Sequence, residues 1–72
     1  MVQRVPVESS NIAAVGYVPE RRVLQIEFVG GRIYEYAGVP STVHDGLMRA
    51  PSKGTFFARH IRPAGFAYRR VG

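Results

Sequence analysis

The chain has 72 residues, no cysteine, and ten Lys and Arg against five Asp and Glu, for a net charge of +5. This size fits one domain, and the missing thiols exclude disulfides, thiolate zinc sites, CxxC redox chemistry and cysteine nucleophiles. No apolar run approaches the ~20 residues needed to cross a bilayer, and the segment from Met1 to Pro6 lacks the apolar core of a secretory signal. The expectation is a soluble, basic, cytoplasmic domain with no membrane role.

The charge is unevenly placed. Residues 1–48 carry Arg4, Arg21, Arg22 and Arg32 against Glu8, Glu20, Glu27, Glu35 and Asp45, a net of −1. Residues 49–72 carry Arg49, Lys53, Arg59, Arg62, Arg69 and Arg70 with no acid, a net of +6. A surplus confined to one third of a chain suggests one basic face and a polyanionic or acidic partner. A solubilising surface without a partner is the alternative.

In chain order, Ile12–Tyr17 is apolar throughout and reads as a buried strand. Residues 18–22 form a polar turn opened by Pro19. Val23–Phe28 alternates cleanly, with Leu24, Ile26 and Phe28 on one face and Gln25 and Glu27 on the other. Gly30 and Gly31 mark a tight hairpin, because glycine tolerates the positive φ such turns need. Residues 32–36 return as a third strand.

The period then changes. Pro40 suits the first position of a helix, and Val39, Val43, Leu47 and Ala50 form one stripe, so residues 40–49 read as an amphipathic helix weakened by Gly46. Pro51 stops it. Ser52 is the N-cap of a second short helix whose inner stripe is Phe56, Phe57 and Ile61. Pro63 and Gly65 break the chain, and residues 66–71 form either a closing strand or a basic tail. The expected fold is α+β, an antiparallel three- to four-stranded meander sheet packed against two short helices. A chain this small is expected as a monomer or as a weak homodimer paired through a sheet edge.

Several segments together carry a family resemblance: Val7-Glu8-Ser9-Ser10-Asn11-Ile12, Val15-Gly16-Tyr17, Leu24-Gln25-Ile26-Glu27-Phe28, Tyr34-Glu35-Tyr36 and Ala50-Pro51-Ser52-Lys53-Gly54-Thr55-Phe56-Phe57. The chain resembles the KTSC family, named for a domain at the C-terminus of some lysyl-tRNA synthetases and also found as small stand-alone bacterial and phage proteins. The resemblance runs from Val7 to Arg70. Departures are Val18, where an acidic residue commonly stands, Ala58 in place of a polar residue, and Phe66 where Tyr is more usual. What the resemblance implies is an RNA-facing or machinery-facing role.

Tyr34 and Tyr36 share one face of their strand with Arg32, and Ile33 and Glu35 take the other. Aromatics beside arginine on a sheet stack bases in single-strand binding modules. They also pack under helices with their hydroxyls at the rim, a reading that the polar Glu35 on the opposite face favours. Ser9-Ser10-Asn11 either turns the backbone or presents donors to an anion. Ser52-Lys53-Gly54 opens a helix, so Lys53, extended by Arg59 and Arg62, is the candidate phosphate contact. His44 and His60, with five scattered acids, supply no convergent metal set, and His44-Asp45 diverge on a helix surface.

Two functions follow as expectations, neither enzymatic nor dependent on a cofactor. One is RNA binding through Arg49, Lys53, Arg59, Arg62, Arg69 and Arg70, with stacking on Tyr34 and Tyr36. The other is a protein-interaction module that docks an acidic surface of a transcription or translation protein. A small phage-type regulator of host RNA polymerase would be one such case.

Overall fold

Alternation in the central strands positions everything else. The computed structural model describes residues 4–72. Five strands occur in chain order: β1 Val5–Pro6, β2 Ile12–Val18, β3 Val23–Phe28, β4 Ile33–Tyr36 and β5 Tyr68–Arg70. They form one antiparallel sheet in the order β1-β2-β3-β4-β5, an uninterrupted meander except for the helical excursion between β4 and β5. The fold is α+β as expected, with five strands where three to four were anticipated. β1 escaped because two residues containing a proline carry no period, and it exists only by pairing Val5 with Val15 and Pro6 with Ala14.

Register assigns the faces. Leu24 pairs with Tyr36 and Ile26 with Tyr34, so these four side chains lie on one face, while Gln25 and Glu35 pair on the other. Tyr36 pairs in turn with Tyr68, Tyr34 with Arg70, and Glu35 with Arg69. A register shift between Ile12 and Ala14 changes the phase of β2, which lets Ile12 and Val15 both enter the core. That bulge explains why the run looks apolar throughout instead of alternating. The β3–β4 hairpin closes on Gly30 and Gly31, with φ of 106° and 97°.

The helices cover one face only. α1 spans Ser41–Arg49, one residue shorter at its start than expected, with Pro40 as its N-cap. α2, Lys53–Phe56, is capped by Ser52, whose hydroxyl accepts from the Thr55 amide at 3.3 Å. It runs on into a wide π turn, Phe57–Ile61, and a 3-10 turn, Arg62–Ala64, before Gly65 turns the chain with φ 79°. The core joins Ile12, Val15, Leu24, Ile26 and Tyr36 of the sheet to Val39, Leu47, Phe57 and Ile61. Gly46 has a packing reason. A Cβ there would meet the Phe56 ring at 2.8 Å, so the residue that weakens α1 is what admits α2 against it.

Candidate functional site

The helix-covered face does not close completely. Between the ends of β3–β5 and the Phe57–Ala64 turns lies a groove of about 840 Å³. Its floor is a linked set of rings. Phe28 meets Tyr34 edge-on at 5.8 Å and Phe57 at 5.5 Å, and Tyr36 meets Phe57 at 5.5 Å. Tyr68 lies 6.0 Å from Tyr34 and 5.6 Å from Tyr36. Alternation delivers three of these rings, because positions 34, 36 and 68 fall on the same face of paired strands. The π turn delivers Phe57.

Two arginines border this aromatic floor, and a third shares its sheet face. The Arg32 guanidinium sits over the Phe28 ring at 6.0 Å, and that of Arg62 over Phe57 at 5.7 Å. Arg70 lies opposite Tyr34 in the register, and its Nε donates to the Gly72 carbonyl at 2.8 Å. Among the described residues none of the three forms an ion pair. Nor do the hydroxyls of Tyr34, Tyr36 and Tyr68 bond to protein atoms there; Tyr17, by contrast, donates to the Val39 carbonyl at 2.5 Å. Burial pushes the Tyr36 phenol above its ordinary pKa, with Arg62 pulling it back and Tyr34 and Tyr68 adding to the rise. Tyr36 is therefore a neutral hydrogen-bonding group at any physiological pH.

The stretch of the groove beside Phe28 is polar. Ser10, Asn11 and Gly54 meet there. The Ser9 hydroxyl accepts from the amides of Asn11 and Ile12, each at 3.3 Å, and the Asn11 carbonyl accepts from the Val29 amide at 2.8 Å. A Cβ on Gly54 would lie 3.2 Å from Asn11 Nδ2 and 3.5 Å from the Ser9 hydroxyl. The Ser-Ser-Asn and Ser-Lys-Gly segments thus form a single contact, made possible by a glycine.

The KTSC domain family matches residues 8–66. The chain belongs to this family. A crystal structure of a KTSC domain protein from Yersinia pestis superposes with a TM-score of 0.91 at 44% identity, covering all of both chains. A protein of Stutzerimonas stutzeri is 36% identical over 70 residues, 97% of this chain and 99% of its own length. A lysine–tRNA ligase of Nostoc is 47% identical over 55 residues, which is 76% of this chain and 10% of the ligase.

The cations singled out in the KTSC sequence do not gather on one face. Arg62 borders the groove, and Arg70 shares the groove face by its register with Tyr34. Arg69, one residue from Arg70, points the other way and pairs with Glu35 at 3.3 Å. Arg49 lies 3.9 Å from Asp45 one helical turn away, with both side chains largely exposed. Lys53 donates to the Ala50 carbonyl at 2.9 Å and so closes the end of α1. Its helix is a four-residue segment whose first turn is already capped by Ser52. Arg59 is exposed on the π turn. Tyr34 and Tyr36 are brought together, and the two readings of them merge: each packs under the helices and also lines the groove.

Sequence reasoning missed Phe28, Phe57 and Tyr68 as groove residues, and it mentioned Arg32 without singling it out. For Tyr68 a signal existed, because Tyr68 and Arg70 alternate like Tyr34 and Tyr36. His44 and His60 are placed apart. His44 stacks on Tyr17 at 4.6 Å and His60 packs on Phe56 at 4.7 Å. Burial pushes the His44 imidazole below its usual pKa, with Asp45 opposing. Among the described residues no group of three His, Cys, Asp or Glu side chains is placed to hold a metal. Among the described residues no helix is long and apolar enough to cross a membrane.

Proposed function

We propose that this KTSC domain is a non-enzymatic module that binds single-stranded RNA in the aromatic groove. The observation that carries the reading is the union of three tyrosine rings with free hydroxyls and two arginines, Arg32 and Arg62, free of carboxylate partners in one open groove. Bases stack on aromatic faces for about 1–3 kcal/mol each, and arginine forks donate to phosphate oxygens at the rim. Single strands suit the site, since only unpaired bases can lay their faces on aromatic rings. A related domain within a lysine–tRNA ligase is consistent with work beside RNA in the cytoplasm.

Anisotropy titration of a labelled mixed-sequence single strand, repeated across salt concentrations, tests the reading. Each phosphate contact to a single strand contributes a log–log salt slope of about −0.7, so contacts from Arg32 and Arg62 give a slope near −1.4. Equal affinity for duplex RNA, or no binding at low salt, would contradict it.

A further inference from the structure

Gln25 and Tyr36 are equally buried polar side chains, each 7% exposed, on opposite faces of the sheet. Gln25 has both ends of its amide satisfied, its oxygen by Arg4 and its nitrogen by Glu35. The Tyr36 hydroxyl has no protein partner among the described residues. It is not walled off either, since every fully enclosed side-chain polar atom there is bonded, so it opens into the groove that Tyr36 lines. A polar group this deep is ordinarily paired, because burial strips its water. Tyr34 and Tyr68 also have free hydroxyls, but these residues are more open, Tyr68 at 66%, and water serves them.

The surroundings suit an anion. Arg32 and Arg62 are the charged side chains that line the groove, and no carboxylate does. Tyr36 and Arg62 lie against one ring: Tyr36 meets Phe57 edge-on at 5.5 Å, and the Arg62 guanidinium sits 5.7 Å from the Phe57 centroid. Arg62 is also near enough to bear on the ionisation of Tyr36. The π turn holds the guanidinium in place. Its closing bond runs from the Arg62 amide to the Phe57 carbonyl, which brings Arg62 back over Phe57. A phenol and a guanidinium at one spot are donors that an anion with several oxygens accepts from together.

Resting on the RNA-binding reading above, we propose that Tyr36 and Arg62 form a phosphate subsite at the foot of the groove. The Tyr36 hydroxyl donates to one phosphate oxygen and the Arg62 fork to its neighbours. Tyr36 is then a donor to the nucleic-acid backbone and not a stacking platform, because its ring is packed on Phe57 and Tyr68. Stacking falls to the more open rings of Tyr34 and Tyr68.

Tyr36→Phe removes the hydroxyl and keeps the ring, so the aromatic floor remains. The full chain is titrated with a labelled single-stranded oligouridylate, with and without a terminal phosphate. Tyr36→Phe is expected to weaken binding about tenfold, the value of one hydrogen bond to a charged group, with thermal stability undiminished. Its salt slope should stay unchanged because a neutral donor is lost, whereas Arg62→Gln flattens the log–log slope by about 0.7. Tyr17→Phe is the converse control: its hydroxyl bonds the Val39 carbonyl outside the groove, so stability falls and affinity holds within about twofold. A loss on both strands assigns the subsite to internal phosphate, and a loss confined to the phosphorylated strand assigns it to the terminal one. Wild-type affinity in Tyr36→Phe for both strands would overturn the inference and leave RNA binding standing. Binding of neither strand by the wild type would overturn the RNA-binding reading and this inference with it.

Discussion

The two faces of the sheet use the same residue type to opposite ends. On the open face, Arg4 donates to Glu27 at 3.1 Å and also to Gln25, Gln25 donates to Glu35 at 3.1 Å, and Glu35 pairs with Arg69. Two arginines and two glutamates there cancel one another, and buried Gln25 joins them into a row across three strands. On the groove face, Arg32 and Arg62 sit over aromatic rings, and among the described residues neither they nor Arg70 pairs with an acid. A charge count along the chain treats Arg69 and Arg70 as equal. Their faces make one of them part of the sheet's surface and the other part of the groove face.

The sharpest way to break this contrast is to remove a ring. Phe57 touches Phe28, Tyr36 and Arg62 and is 4% exposed. Phe57→Ala should cost about 3–5 kcal/mol by chemical denaturation, enough to unfold a large fraction of so small a domain. On the open face the effects should be smaller. Glu35→Ala deprives Gln25 of its acceptor and Arg69 of its partner, an expected loss of about 1–2 kcal/mol with RNA affinity unchanged. Arg69→Gln, at a side chain 78% exposed, should change stability by less than ~0.5 kcal/mol.

Titration separates the faces further. His44 has a lowered folded pKa, so its contribution is present above pH 6.5, the unfolded value, and is lost as pH falls through the folded value. Tyr36 has a raised folded pKa, so its contribution is present below pH 10 and is lost as pH rises beyond it. Stability curves of His44→Asn and Tyr36→Phe should lack the acid and the alkaline decline respectively. Both groups lie on the helix-covered side, and Glu35→Gln should leave both limbs in place.

The fold was legible where local chemistry decides structure. Alternation in Val23–Phe28, the Gly30-Gly31 turn, the stripe through Val39, Val43 and Leu47, and Ser52 before a helix each state their element directly. What stayed hidden depends on distant partners. β1 exists only through β2 and through the Arg4–Glu27 pair, 23 residues apart. The groove was half legible, since Tyr34 and Tyr36 share a face by simple period. Phe57 was expected on an inner stripe with Ile61, but its meeting with Phe28 and Tyr36 depends on how that turn docks on the sheet, a long-range contact no local spacing states. The basic C-terminal third read as one surface because composition ignores direction; register sends Arg69 and Arg70 to opposite sides.

The central claim is that nucleic-acid affinity belongs to the groove and not to positive charge at large. Two variants of identical net charge test it most directly: Arg32→Gln with Arg62→Gln, and Arg49→Gln with Arg69→Gln. Single-stranded RNA binding is measured for both from low to high salt. The groove pair should weaken binding strongly and flatten the log–log salt slope by about 1.4, while the ion-paired set leaves affinity within about twofold and the slope unchanged. Equal losses in the two variants would contradict the account.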